Sequence, residues 1–243
     1  MPSNNINIKS VAVIGAGVMG AQLAALFANK GIRSYLYDIT TDTATLGKDR
    51  LKIIKPPPLE RPENIELIQA CGLDKDIHKI KKVDWIIEAV PEKIETKIEV
   101  FNKISPFIHK GAILSSNTSG ITLNELIRNL SENLKSRFLI THFFNPPRYM
   151  KLLEIVKNEQ TSLEVYNSLT SFCSSRLTKG IVPAKDSPNF IGNRVGIFSL
   201  MSAIKLSIVK NIKIEEVDFL TGAICGRPKS ATFRTADIIG LDT

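Results

Sequence analysis

The sequence predicts an α/β fold, a doubly wound parallel sheet followed by the start of an all-α C-terminal domain. Three observations carry that reading. Short β-branched runs alternate with segments of helical spacing as far as residue 184; a glycine turn joins the first run to an Ala- and Leu-rich segment; and beyond residue 186 only helical spacing continues. At 243 residues the chain exceeds the usual size of one compact domain. The expected division is 1–186 for the sheet domain and 187–243 for a partial helical domain, apparently truncated.

The elements follow in order. After a polar lead, 10–14 is a strand that runs into Gly15-Ala16-Gly17-Val18-Met19-Gly20, and 21–30 has good helix propensity. Gly31 closes that helix, and 32–37 is a second strand ending at Asp38. Residues 40–55 are polar and helix-compatible until Pro56-Pro57-Pro58, while 59–82 is mixed and the least readable stretch. A buried-strand composition returns at 83–90, and 95–108 shows helical spacing through Ile94, Ile98, Phe101 and Ile104. A short strand at 112–115 precedes a helix opened by Thr122 and Glu125, a capping box. Two strands, 137–144 and 151–156, flank the Asn145-Pro146-Pro147-Arg148 turn. A helix at 163–178 and a last strand at 181–184 complete the sheet domain. A helix at 189–210 and another from Glu215 have apolar faces that two helices alone cannot bury, so this segment either pairs with a second copy or belongs to a longer chain.

Composition narrows the function. Charged residues at 23% and apolar residues at 43% exclude a disordered, collagenous or coiled-coil chain. A formal charge of +8 suits an anionic small partner or a solvated basic surface, and the scattered lysines form no nucleic-acid-binding arm. Cys71, Cys173 and Cys225 support neither a disulfide framework nor a metal site, which points to a reducing cytoplasm. The apolar stretch 11–28 is near the length of a membrane span, but three glycines and Gln22 dilute it, so no membrane span is expected.

Strand, glycine turn, helix and second strand together form one βαβ unit of the length that binds a dinucleotide. Gly15 allows the tight turn, Gly17 lets backbone approach a pyrophosphate, and Gly20 brings helix close to strand, while the N–H groups of Val18, Met19 and their neighbours face the phosphates. Asp38 stands where a carboxylate accepts the ribose hydroxyls and repels a 2′-phosphate, favouring NAD over NADP. Further along, Glu154 lies in the apolar run Lys151-Leu152-Leu153-Glu154-Ile155-Val156, where a carboxylate needs a partner. If its strand neighbours that of His142, the two side chains meet, and the glutamate fixes the imidazole as a general base. The alternative is a histidine satisfied within the core.

These segments resemble a known family. Residues 11–38, Asp84-Trp85-Ile86-Ile87-Glu88-Ala89-Val90-Pro91-Glu92, Ser115-Ser116-Asn117-Thr118-Ser119, His142-Phe143-Phe144-Asn145-Pro146 and Asp186-Ser187-Pro188-Asn189-Phe190-Ile191-Gly192-Asn193-Arg194 are similar to the ordered motifs of the L-3-hydroxyacyl-CoA dehydrogenases of fatty-acid β-oxidation. The resemblance covers nearly the whole chain and implies a Rossmann-type domain, NAD as cofactor and an acyl-CoA substrate. It also implies a homodimer if the helical domain is complete. The ending, 226–242, is similar to longer bacterial members that continue into further domains.

Carried over by residue, the resemblance implies that His142 takes the 3-hydroxyl proton and Glu154 orients it. Ser119 and Asn193 match positions that hydrogen-bond the substrate, and Asn145 a position that touches cofactor and substrate. Glu92 and Lys97 match positions on the nicotinamide side, and Asp38 the adenosine-ribose acid. Two departures stand out: the stretch 39–83 is shorter than the family's helical arm and carries three prolines, and the helical domain is incomplete. Two rival functions are a β-hydroxyacid dehydrogenase that uses lysine for proton transfer, and a non-catalytic NAD-binding module.

Overall fold

The structure, a computed structural model, describes residues 8–239 of the chain. The lead before residue 8 and the ending 240–243 lie outside the described residues. Two compact units are present, Met1–Phe190 and Ile191–Thr243.

The first unit is built on one eight-stranded sheet. Its strands are β1 (Ser10–Ile14), β2 (Arg33–Asp38), β3 (Ile68–Gly72), β4 (Trp85–Glu88), β5 (Ile113–Ser116), β6 (Phe138–Phe143), β7 (Leu152–Val156) and β8 (Gly180–Ala184). They lie in the order β3-β2-β1-β4-β5-β6-β7-β8. The first six run parallel; β7 pairs antiparallel with β6 and parallel with β8. Strand order reverses between β1 and β4, the place in a doubly wound sheet where the connections diverge to opposite faces and leave a crevice.

Alternation along the strands explains the two layers. Val11, Val13, Trp85 and Ile87 face one side and pack with α1 (Val18–Ala28) and α6 (Leu163–Ser175); Ala12, Ile14 and Ile86 face the other. There they meet α3 (Ile94–Ile104) and α4 (Leu123–Ile127) through Phe101, Ile104, Leu123 and Leu126. Both faces of the central strands are covered, which is why they read as continuous apolar runs.

Several boundaries differ from the sequence expectation, each for a local reason. α1 starts at Val18, three residues early, because Gly17 is already its N-cap. The helix expected over 40–55 is α2 (Thr41–Arg50), capped by Thr40, and ends well before the prolines. The mixed stretch hides β3, which has no apolar alternation of its own and is a strand because β2 pairs with it from Ser34–Ile68 to Asp38–Gly72. A short helix, α5 (Glu132–Lys135), precedes β6. The helix expected from 189 is α7 (Gly192–Lys210), because Asn189 and Phe190 take positive φ of 62° and 42°.

The second unit holds α7, α8 (Ile214–Thr221) and α9 (Phe233–Ile239). Asn211, in the left-handed region, ends α7. Asp218 of α8 caps α9 by accepting the N–H groups of Thr232, Phe233 and Arg234 at 3.1, 2.7 and 3.1 Å. No described helix is long and apolar enough to cross a membrane.

Candidate active site

The carboxyl ends of β1, β4, β5 and β6 lie along one edge of the sheet, since these strands are mutually parallel. Their loops form the crevice. At its centre β1 passes into the glycine turn, with Gly15 at φ 105°, a value L side chains rarely adopt. A Cβ on Gly20 would lie 1.8 Å from the Gly15 carbonyl oxygen, so helix and strand approach this closely only with glycine there. Gly17 caps α1 without a side-chain hydrogen bond, and a Cβ on it would meet nothing within 4 Å. The first turn of α1 thus borders open space at Gly17, Val18 and Met19, as a phosphate cradle requires.

Asp38 closes the turn from the end of β2. Its Oδ2 accepts the Ala16 N–H at 2.7 Å and its Oδ1 the Ile39 N–H at 2.8 Å. Gly15, Gly17, Val18, Met19 and Asp38 line a cavity of about 520 Å³, walled on its far side by Val90 and Pro91. These residues fit a dinucleotide: an uncapped helix terminus for the pyrophosphate, a carboxylate beside it for a ribose, and apolar walls for a base.

On the same edge, His142 is the penultimate residue of β6 and Glu154 stands opposite it on β7. His142 Nδ1 and Glu154 Oε2 are 2.7 Å apart, with both side chains buried. The ring centroids of Phe144 and Phe190 lie 4.4 and 5.7 Å from that of His142. Imidazole with its Nδ1 held and its sides walled by aromatic rings has Nε2 left for a substrate proton.

The strand ends are braced from below. Asn145 follows β6 and its Oδ1 accepts Gln22 Nε2 of α1 at 3.1 Å, tying the histidine strand to the helix of the glycine turn. Asn117 Oδ1 accepts the Phe143 N–H at 2.9 Å. Lys97 of α3 is buried, and its Nζ donates to Glu88 Oε1 at 2.7 Å, pairs with Glu92 Oε2 at 3.1 Å and reaches the Val90 carbonyl at 3.3 Å. Glu92 Oε1 in turn accepts the Ser119 and Gly120 N–H groups at 2.8 and 3.1 Å, together with the Thr118 hydroxyl. Burial raises the Glu88 carboxyl above its ordinary range against the pull of Lys97. Burial acts upward on Glu92 too, but Lys97 and the donors of 118–119 outweigh it and hold the carboxyl below that range.

The structure thus brings Gly15, Gly17, Val18, Met19 and Asp38 to one cavity, with Gly20 packed behind the turn against Gly15, and His142, Glu154 and Asn145 to the same sheet edge. Ser119 is presented on the loop that Glu92 holds. Lys97 donates inside the protein, to Glu88, Glu92 and the Val90 carbonyl, behind the loop that carries Ser119. Asn193 stands in the first turn of α7, in the second unit. Sequence reasoning missed Gln22, Glu88, Asn117 and Phe190. The available signal was a lone polar residue inside an apolar run, at Gln22 in the first helix and Glu88 in the fourth strand.

Residues 10–187 match the family model described as 3-hydroxyacyl-CoA dehydrogenase, NAD binding domain. The chain is 41% identical over 258 residues to a probable 3-hydroxyacyl-CoA dehydrogenase of Bacillus subtilis, a match covering 98% of this chain and 33% of that protein. It is 41% identical over 244 residues to one of Deinococcus radiodurans, covering 98% and 70%. Its structure is similar to that of (S)-3-hydroxybutyryl-CoA dehydrogenase from Ralstonia eutropha, with a TM-score of 0.79 and 28% identity over 98% of this chain and 84% of the other. The chain therefore spans a third of the length of the first of these relatives and most of the length of the others.

Proposed function

Because the chain belongs to the 3-hydroxyacyl-CoA dehydrogenase family, whose NAD-binding domain it contains, we propose that it oxidises L-3-hydroxyacyl-CoA to 3-ketoacyl-CoA in fatty-acid β-oxidation. The observation that carries the chemistry is the buried His142–Glu154 pair on the sheet edge that also bears the glycine turn.

NAD, held by the Gly15 to Gly20 turn and Asp38, would supply the hydride acceptor for C3 of the substrate. The residues of this chain do the rest. His142 takes the 3-hydroxyl proton at Nε2, and Glu154 holds the Nδ1 proton, fixing the tautomer and balancing the imidazolium that forms. Ser119 and Asn193 hydrogen-bond the substrate, and Asn145 touches cofactor and substrate together. The Gly15 to Gly20 turn holds the pyrophosphate and Asp38 the adenosine ribose. Lys97 acts through Glu92, which fixes the loop of Ser119; both are positioning residues in this reading.

With its helical domain complete, the protein would work as a homodimer in the cytoplasm. In support of pairing, α7 exposes Val195, Phe198, Met201, Ile208 and Val209, apolar groups on more than one side of a single helix. Support for a reducing compartment comes from three free cysteines, two of them buried.

The test is NADH consumption by the purified chain with acetoacetyl-CoA, beside an NADPH control and an NADH titration. Turnover with NADH and little with NADPH is expected. Tight NADH binding without turnover would leave only a binding module, and absence of NADH binding would overturn the cofactor assignment.

A further inference from the structure

The proposed mechanism leaves a buried lysine unused. Lys179, just before β8, is 6% exposed, and among the described residues no carboxylate lies within ion-pair distance of it. Its Nζ donates instead to two backbone carbonyls of one turn, that of Pro147 and, at 2.6 Å, that of Met150. It also lies 5.8 Å from the centroid of the Phe143 ring. Phe143 is the neighbour of His142, and the turn is the one that begins at Asn145.

We infer that Lys179 is a positioning residue, a buried clamp that fixes the 146–150 turn and through it holds Asn145 beside His142. The turn is gripped at both of its faces. Inside, Lys179 takes the carbonyls of Pro147 and Met150; outside, Arg148 Nη1 donates to the Pro57 and Leu59 carbonyls at 2.7 and 2.9 Å, and the Tyr149 hydroxyl donates to Pro57 at 2.9 Å. The Tyr149 and Met150 N–H groups both reach the Pro146 carbonyl at 3.0 Å, so the turn moves as a unit with the residue before it. That residue, Asn145, accepts Gln22 of the cofactor helix.

A lysine suits this place. Two carbonyls turned inward need donors, and an ammonium supplies three from one point while its charge rests on an aromatic face. Burial works against the charge and pushes the ammonium down to about 8, with Lys30 adding to the effect and Cys173 on α6 opposing it. A side chain needed only to fill space would be apolar there. The groups facing Lys179 are therefore one thiol, one distant lysine, two carbonyls and a ring.

This inference rests on the proposed dehydrogenase reaction, so its test has one arm independent of turnover. Lys179→Met and Lys179→Arg are compared with the wild-type chain for kcat and KM with acetoacetyl-CoA, for NADH affinity, and for hydrogen exchange of residues 145–151. Lys179→Met is expected to lower kcat by up to about 10²-fold, the effect of an ångström of misplacement, and to weaken NADH binding less, because the glycine turn and Asp38 still hold the cofactor. Exchange at Tyr149 and Met150 should quicken in the same variant. Lys179→Arg, which keeps the cation, should restore protection and part of kcat. Wild-type exchange in Lys179→Met would overturn the clamp, and so would wild-type kcat in a variant whose exchange has quickened. If wild type itself shows no turnover, the dehydrogenase reading fails while exchange still judges the clamp. Should Lys179→Met not fold, Lys179→Gln, a donor without charge, is read by the same criteria.

Discussion

His142 and Glu154 face each other as a register pair across β6 and β7, their side chains joined at 2.7 Å between Nδ1 and Oε2. Because the strands are antiparallel and adjacent, twelve residues of sequence separation become one cross-strand contact. His142→Gln should therefore lower turnover by roughly 10²–10⁴ while NADH affinity stays nearly intact. Steady-state kinetics beside an NADH titration checks this, and unchanged turnover would remove His142 from the role of base.

Asp38 accepts two backbone N–H groups, one on each oxygen, and one of them belongs to the glycine turn. Asp38→Ala is expected to weaken NADH binding and relax discrimination against NADPH, since the carboxylate that repels a 2′-phosphate is gone. Paired titrations with both nucleotides measure it. Unchanged discrimination would show that the specificity lies elsewhere.

Lys97 and Glu88 are both fully buried and 2.7 Å apart. Removing one partner leaves an uncompensated charge, so Lys97→Met should destabilise the chain by about 3–5 kcal/mol. The double variant Lys97→Met with Glu88→Gln should regain much of that. Urea unfolding of the two variants decides it; equal stability would mean the pair is not coupled.

Gly47 of α2 packs against the glycine turn, where a Cβ would lie 2.3 Å from the Ala16 carbonyl oxygen and 2.7 Å from its Cβ. Gly47→Ala must push α2 off the turn, at about 1–3 kcal/mol for overpacking. Thermal unfolding should show the loss and NADH affinity should fall with it. A variant as stable and as tight-binding as wild type would contradict this packing.

Lys179 carries a pH signature. Its folded pKa lies at about 8, below the ordinary lysine value of 10.5, so between these values the unfolded chain holds a proton that the folded chain has released. Its contribution to stability therefore rises with pH across that window. The buried Cys71 and Cys173 thiols, raised by burial, act the other way in the same range, which makes the difference between wild type and Lys179→Met the informative quantity. Urea midpoints at about pH 8 and about pH 9.5 should show wild type gaining relative to the variant, and parallel midpoints would refute the assignment.

Much of this fold is legible in the chain because its signals are local. The glycine turn between a strand and an Ala-rich helix, the Thr122–Glu125 capping box and the continuous apolar runs of β4 and β6 each depend on residues a few positions apart. β3 was not legible, since Ile68–Gly72 is a strand only through its pairing with β2. Phe190 was hidden for a similar reason: a bulky residue at φ 42° breaks a helical pattern that sequence alone extends through it.

The sequence by itself determined the alternation of elements, the dinucleotide turn with its acid at Asp38, and the presence of a carboxylate at Glu154 that needs a partner. Only the tertiary structure decided which partner it meets, that Lys97 serves Glu88 and Glu92 from inside, and that Gln22 ties the cofactor helix to Asn145. The physical reason is range. Propensity and turn chemistry act over a few residues, whereas burial and charge pairing depend on which strands the packed sheet sets side by side.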